Sequence, residues 1–329
     1  MSCYRQVWVS SQASAVDAAA RVARRKCFNG AVILVTGATG HVGYRTMEAL
    51  ADAGGDAAAM VRVEAKAADL PGSGQYVVGT LDRPPPADVL REFDRIFLLS
   101  PAHEGQVELE LIFIDAVLAA GHRPHIVKMA ADGFEDPDCE VRFMRNHRDI
   151  AVHLEASGLP VSYLASNIHM ENLLEAAQTV REQGMIFAPA GEAKIGFVAV
   201  SDVAKAAARV LTSEDHAGQS YVLTGPQALT YAEVAARISA VFARQVDYED
   251  IPEHVAREQM LASGLSPWQC EGTIELYDWI RNGGTDTVTS SVRALAGKDP
   301  HSMEAWLSEM RAEFLVPPED RPPAAFELP

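Results

Sequence analysis

Apolar runs and amphipathic stretches alternate along the first half of the chain, which predicts strands and helices in turn. The apolar runs predict six strands, at residues 31–36, 56–62, 76–81, 95–100, 125–131 and 161–166. Helices are predicted between them, the first ending at Gly54 and the last running from about residue 145 to 157. Strands that alternate with helices over short connections predict an α/β fold with a Rossmann-type, doubly wound parallel sheet.

The alternation is less regular after residue 166. Residues 167–195 combine a helix with loop, and residues 196–212 return to a strand followed by a helix. A short strand then precedes a helix that begins near Thr230, where Glu233 completes a capping box. The last part, residues 250–315, has a helical pattern.

The loss of regular strand–helix alternation after residue 166 predicts the domain organisation. We assign residues 31–166 to a Rossmann domain, to which residues 196–212 return, and the rest of residues 167–315 to a smaller, discontinuous, mainly helical substrate lobe. Residues 1–30 form an N-terminal extension, and residues 316–329 form a proline-rich tail.

Charge and composition exclude several classes of function. A net charge of −17 argues against a nucleic-acid-binding surface, which needs a basic patch. Four scattered cysteines predict neither a disulfide framework nor a metal site. No apolar run approaches the roughly 20 residues that span a bilayer. We therefore expect a cytoplasmic protein that binds no metal, no nucleic acid and no membrane.

The N-terminal extension has the opposite charge, about +4 in a chain that is acidic overall. An arginine-rich, acid-poor N-terminus is compatible with an organelle transit peptide. A surface helix or an upstream start codon is the preferred interpretation, because the abundant Ala, Arg, Asp and Gly residues are typical of a GC-rich bacterial gene.

The stretch "VTGATGHVG" joins the first predicted strand to the first predicted helix and predicts a dinucleotide site. A diphosphate binds to bare backbone N–H groups at the start of a helix, where any Cβ blocks its approach. The spacing assigns Gly37 to the turn, Gly40 to the phosphate contact, and Gly43 to packing of the helix against the first strand. The residues between them, Thr39, His41 and Val42, complete the loop.

The end of the second predicted strand indicates which nicotinamide cofactor binds. Arg62 stands nineteen residues after Gly43, with Lys66 close by. A basic residue at this place accommodates the 2′-phosphate of NADP, whereas an acidic residue holds the ribose of NAD. Glu64 is the competing acidic residue, but it lies two residues beyond the expected strand end. We therefore predict NADPH.

Several segments together resemble one known family. "ILVTGATGHVG", "FLLSP", "NHRDIAVHLEASGLPVSYLASNIHMENLL" and "GKDPHSMEAWLSEMRAEF" follow one another as in the NmrA-like family of atypical short-chain dehydrogenases. That family includes quinone reductases, triphenylmethane reductases and NADP-sensing regulators, and the resemblance covers residues 31–315. It implies two groups of residues at the nicotinamide half of the cofactor, Leu99, Ser100 and Pro101 in one and His169, Met170, Glu171 and Asn172 in the other.

The acid–base pair of typical short-chain dehydrogenases is missing. In the register that the resemblance implies, its Tyr position falls on Phe143 and its Lys position on His147. A quinone or cationic dye accepts a hydride without that pair, because the acceptor itself takes up the charge. His147 then serves as a proton donor or only bonds the cofactor's ribose, and Lys128 or His169 steadies a developing oxyanion.

Three functions remain open at this point. The preferred one is an NADPH-dependent reductase of a small aromatic or quinone-like substrate. The others are an NADPH/NADP⁺ sensor without turnover and a tailoring reductase of secondary metabolism. Trp268, Tyr277 and Trp279 line a pocket for a flat acceptor or belong to the core. The chain is a possible homodimer.

Overall fold

A computed structural model describes residues 32–72 and 74–320. Residues 1–30 and the last nine residues of the predicted tail lie outside this part of the chain. The strands, in chain order, are β1 (Val32–Val35), β2 (Asp56–Val61), β3 (Tyr76–Val78), β4 (Arg95–Leu98), β5 (His125–Ala131), β6 (Val161–Ser166), β7 (Met185–Ala188), β8 (Ser220–Leu223) and β9 (Asp247–Asp250).

Twelve α-helices accompany these strands in the described residues. In chain order they are α1 (His41–Asp52), α2 (Ala87–Leu90), α3 (Gln106–Ala119), α4 (Arg142–Ser157), α5 (Ala177–Gln183), α6 (Val200–Thr212), α7 (Tyr231–Phe242), α8 (Glu253–Ala262), α9 (Pro267–Arg281), α10 (Ser291–Ala296), α11 (Met303–Glu309) and α12 (Arg311–Leu315). Single 3₁₀ segments cover Glu64–Ala67, Met170–Ala176 and Pro318–Asp320.

Seven parallel strands form the main sheet, in the order β3-β2-β1-β4-β5-β6-β8. All six strands predicted from apolar runs belong to it, so the Rossmann-type α/β prediction is confirmed. Helices α3 and α4 pack on one face of the sheet, and α1 and α6 on the other. The strand order reverses between β1 and β4, and ligands of such sheets bind at the carboxyl ends of the strands beside this point.

The last strand of the main sheet comes from a segment that we had assigned to the lobe. β8 pairs in parallel with β6, with Tyr163 opposite Ser220 and Ser166 opposite Leu223. The prediction of a strand at the start of residues 196–212 is wrong. Val198 makes only an isolated bridge to His169. The apolar residues of this segment are instead buried between the core of the lobe and the core of the main sheet. Phe197 packs into the lobe, whereas Val198 packs against the helices of the main sheet.

The lobe contains a second, two-stranded parallel sheet that the sequence did not predict. β7 pairs with β9, from Met185 opposite Asp247 to Ala188 opposite Asp250. Around it, α5, α7, α11 and α12 enclose a core centred on Trp306, Phe314 and Ile238. The predicted capping box is confirmed, since the Thr230 side chain accepts from the backbone N–H of Glu233 and the Glu233 side chain accepts from that of Thr230.

Candidate functional site

The glycine loop after β1 is fixed by close backbone contacts. Gly37 has φ +57°, and a Cβ there would lie 3.0 Å from the side chain of Leu99. A Cβ on Gly43 would lie 2.1 Å from the carbonyl oxygen of Gly37, closer than any real contact. Gly43 therefore packs α1 against the loop itself, rather than only against β1 as predicted. Both positions require glycine.

The start of α1 is open to an anion. Gly40 is the N-cap residue, no side chain caps the helix, and its first turn holds no acidic residue. A Cβ on Gly40 would meet no protein atom closer than 3.5 Å, so space remains on that side of the backbone. Thr39 is exposed and His41 half-buried, whereas the Val42 side chain is buried in the core, so only its backbone faces this space. The backbone N–H groups and the positive dipole end of a helix start favour a phosphate here.

Arg62 is exposed directly after β2, at the edge where the adenosine half of a dinucleotide binds. The pKa of Asp82 is lowered by a hydrogen bond from Thr80 and further by the charges of Arg83 and Arg62, which places Arg62 near the turn after β3. The competing acidic residue, Glu64, accepts a short hydrogen bond from the Tyr76 hydroxyl. Of the two, Arg62 is the better placed to meet a ligand.

The segment after β4 lies beside the glycine loop. The Thr36 hydroxyl donates to the carbonyl of Leu99 at 2.8 Å, and the Leu99 N–H donates back at 2.9 Å. Ser100 is half-buried, and its Oγ donates to Oε1 of Glu110 at 2.5 Å, while Pro101 is exposed. The loops after β1 and β4 therefore meet at the reversal point of the sheet.

Lys128 is fully buried and cannot touch a developing oxyanion, so that prediction is wrong. Its Nζ donates to Oε1 of Glu110 at 2.9 Å, and the two side chains are 1% and 0% exposed. Burial lowers the pKa of Lys128, and Glu110 counteracts the shift. Glu110 was missed from the sequence, although it lies on the same face of α3 as the buried Phe113, Ile114 and Val117.

The surroundings of His147 disfavour its charged, protonated form. Burial, with the nearby positive charge of Lys128, lowers the pKa of His147 well below its usual value. Its Nδ1 is enclosed and has no hydrogen-bond partner within the described residues. Both predicted roles, proton donor and hydrogen bond to the ribose of a cofactor, stay predictions.

His169 is also neutral at neutral pH. Burial and, secondarily, the charge of His41 lower the pKa of His169 to about 4. Its ring is 3.0 Å from the Ser166 hydroxyl at the end of β6. The influence of His41 places His169 near the glycine loop, but a neutral imidazole does not supply the charge expected for an oxyanion contact.

The other three residues of the "HMEN" segment have different surroundings. Met170 is 2% exposed inside the lobe core, so its side chain cannot line a cofactor as predicted. The Glu171 carboxylate accepts from the backbone N–H of Val200 at 3.0 Å and from Nε1 of Trp306 at 3.2 Å. Glu171 therefore joins the lobe to the start of α6 instead of facing a ligand. Asn172 is exposed, and its contact with a cofactor stays a prediction.

The three aromatic residues predicted for an acceptor pocket separate. Trp279 lines a cavity of about 460 Å³, together with Asp132 and Phe134 after β5. Trp268 packs edge-on against Phe143 instead. Tyr277 is hydrogen-bonded to Tyr231 in the lobe. Of the three, Trp279 is the one that lines this cavity, which lies beside the carboxyl ends of β5 and β6.

Two features are not found in the described part of the chain. No group of three or more His, Cys, Asp or Glu side chains is arranged to hold a metal ion. No helix there combines the length and apolarity needed to cross a membrane.

Comparison with known proteins gives consistent results. The profile of the NmrA-like family matches residues 29–306. An NAD(P)H azoreductase of Xenophilus azovorans is 34% identical over 249 residues, which cover 75% of this chain and 86% of the relative. A (4-alkanoyl-5-oxo-2,5-dihydrofuran-3-yl)methyl phosphate reductase of Streptomyces griseus is 31% identical over 296 residues, covering 87% and 100%.

A solved structure matches the fold. The NADPH complex of the Escherichia coli quinone oxidoreductase QOR2 superposes with a TM-score of 0.75 over 85% of this chain and 99% of that one, at 24% identity. At that identity the likeness establishes the fold alone.

Proposed function

The chain belongs to the NmrA-like family, and we propose that it is an NADPH-dependent oxidoreductase that delivers a hydride to an electron-poor acceptor. A quinone or a related conjugated carbonyl compound is the acceptor class that we favour. The observation that carries the proposal is the open helix start at Gly40, with Arg62 exposed at the next strand end.

The residues at the sheet's reversal point fit NADPH. Backbone N–H groups of the first turn of α1, which begins at His41, would hold the diphosphate, and a Cβ at Gly40 would fill the space that a phosphate oxygen needs. Arg62 meets the 2′-phosphate, with Lys66 contributing charge from the following 3₁₀ turn. Ser100 after β4 and His147 on α4 would hold the nicotinamide half.

The neutral histidines favour an acceptor that needs no protein acid. The bound nicotinamide supplies the hydride. His147 and His169 both have lowered pKa values, so neither delivers a proton efficiently near pH 7. A quinone or conjugated carbonyl compound spreads the added charge over its own oxygen, and water completes protonation. The protein's contribution is then orientation and exclusion of competing reactions.

The names of the relatives support this class of reaction. One is an azoreductase that uses NAD(P)H, and the other reduces a substrate whose dihydrofuran ring carries an oxo group beside an alkanoyl group. Both names describe small molecules with conjugated, electron-poor bonds. We extend that acceptor class, not either substrate, to this chain.

Two measurements test the proposal. Calorimetric titration should show NADPH binding more tightly than NADH, and absorbance should show NADPH oxidation with at least one member of a panel of quinones, azo dyes and enones. Failure to bind NADPH would refute the proposal as a whole. Tight binding without turnover across the panel would refute the enzyme and favour an NADP(H) sensor.

A further inference from the structure

Glu110 and Lys128 form an ion pair with almost no contact with solvent. One lies on α3 and the other on β5, on the sheet face that carries α3 and α4. Removing two charges from water is costly, and such pairs are often no more stabilising than apolar residues of the same volume. Stability alone therefore does not account for an ion pair at this position.

The contacts of Glu110 determine how Ser100 presents its hydroxyl. Oε1 of Glu110 accepts from Ser100 Oγ at 2.5 Å and from Lys128 Nζ at 2.9 Å. Because a carboxylate only accepts, the Ser100 proton points inward to Glu110. The lone pairs of Ser100 Oγ then remain for a donor on the open side, where this side chain is half-buried rather than enclosed.

The sheet order locates that open side. Ser100 follows β4, the neighbour of β1 across the reversal point, and Leu99 touches the glycine loop. With the diphosphate at α1 and the adenosine half toward β2 and Arg62, the nicotinamide half extends over β4 and β5. Ser100 is therefore on the nicotinamide side of the diphosphate.

We propose that Glu110 is a positioning residue for the cofactor. It fixes Ser100 as a hydrogen-bond acceptor for an N–H or O–H group on the nicotinamide half of NADPH, and Lys128 holds the Glu110 carboxylate in place through the hydrogen bond from its Nζ. The inference rests on the proposed function, since it requires NADPH in this crevice. In this arrangement, the hydrogen bond that Ser100 accepts from the cofactor depends on Glu110.

Affinity for two ligands tests the proposal without any turnover. NADPH and adenosine 2′,5′-bisphosphate, which lacks the nicotinamide half, are titrated calorimetrically into wild type, S100A, the double variant E110M/K128M and the triple variant. S100A and the double variant should each bind NADPH roughly two- to tenfold more weakly, as expected for one hydrogen bond. The triple variant S100A/E110M/K128M should lose no more affinity for NADPH than S100A or E110M/K128M, because all three variants remove the same interaction. Affinity for the bisphosphate should not change.

Controls separate the possible failures. Replacing the partly exposed Arg257–Glu271 pair of the lobe, as R257M/E271M, should leave both affinities unchanged. If E110M/K128M does not fold, E110L/K128M replaces it, with the same two- to tenfold loss expected, because leucine also offers Ser100 no acceptor. Wild-type affinity for NADPH in S100A, equal losses for both ligands, or additive losses in the triple variant would overturn the inference. Absence of NADPH binding in the wild type would refute the proposed function itself.

Discussion

The two ends of the candidate cofactor crevice are built from different parts of the chain. At the diphosphate end, the groups that we propose to face the ligand belong to the backbone between Gly37 and Gly43, and Arg62 stands exposed after the next strand. At the proposed nicotinamide end, the polar groups are side chains from β4 and its following loop, α3 and β5. The two charged ones, Glu110 and Lys128, are buried beneath the surface.

This difference determines how each end responds to substitution. A backbone site depends on the absence of side chains, so added atoms disturb it. A side-chain network depends on each group having its partner, so removal of one member leaves another uncompensated. Four experiments test this contrast.

The largest effect is expected from Lys128→Met, which leaves Glu110 as a buried carboxylate without its counter-ion. Breaking a buried pair costs about 3–5 kcal/mol of the free energy of unfolding, whereas replacing both members by apolar residues is often neutral. Urea denaturation should show this loss for K128M and a near-wild-type value for E110M/K128M. An equal loss in both variants would show that volume, rather than charge pairing, sets the cost.

The second experiment probes the diphosphate end through the exposed guanidinium of Arg62. Hydrogen bonds to a charged group contribute about 1.5–3 kcal/mol, so Arg62→Ala should weaken NADPH binding by roughly ten- to a hundredfold. NADH binding should not change, and Lys66→Ala should have a smaller effect. Calorimetric titration of both cofactors gives the ratio. A wild-type protein that binds NADH as tightly as NADPH would contradict the assignment of Arg62.

The third experiment compares two glycines three residues apart. Gly43→Ala forces a Cβ to within 2.1 Å of the Gly37 carbonyl oxygen, and such overpacking costs about 1–3 kcal/mol of stability. Gly40→Ala meets no protein atom closer than 3.5 Å, so it should cost less than about 1 kcal/mol yet still weaken NADPH binding. Thermal unfolding and titration separate the two. Unchanged affinity in G40A would remove the phosphate from this position.

The smallest effect is expected at His147. Its folded-state pKa lies well below the usual value, so the ring takes up a proton only when the pH falls far below that value. The lowered pKa favours the neutral ring at neutral pH, so His147→Gln, which keeps a polar group for the ribose, should leave the pH profile of kcat unchanged at and above pH 7. Loss of an ionisation from that profile in H147Q would show that the histidine does transfer a proton.

The sequence predicts the backbone-built end better because local spacing specifies it. Three glycines between an apolar run and a helix determine the loop, and the six strands around it are continuous apolar runs. The Glu110–Lys128 pair joins two elements whose separation in sequence carries no pattern. A signal was present nevertheless, since an acidic residue on the apolar face of α3 and a lysine within a buried strand both require partners.

Two other features that the sequence did not predict also depend on contacts between residues far apart in the chain. β7 and β9 are four residues each and lie far apart in the chain, so neither has a local pattern strong enough to predict the pairing. Glu171 resembles a cofactor ligand in sequence, but its partners, Val200 and Trp306, are 29 and 135 residues away. Tertiary contacts decided both outcomes.

The pairing of β7 with β9 bears on how the chain acquires its structure during synthesis. The first six strands of the main sheet are complete once residue 166 has been translated, and each has a neighbour available by then. The small sheet of the lobe requires residues 247–250 before β7 has any partner. We therefore expect a nascent chain to assemble most of its nucleotide-binding half on the ribosome, with the lobe folding onto it last.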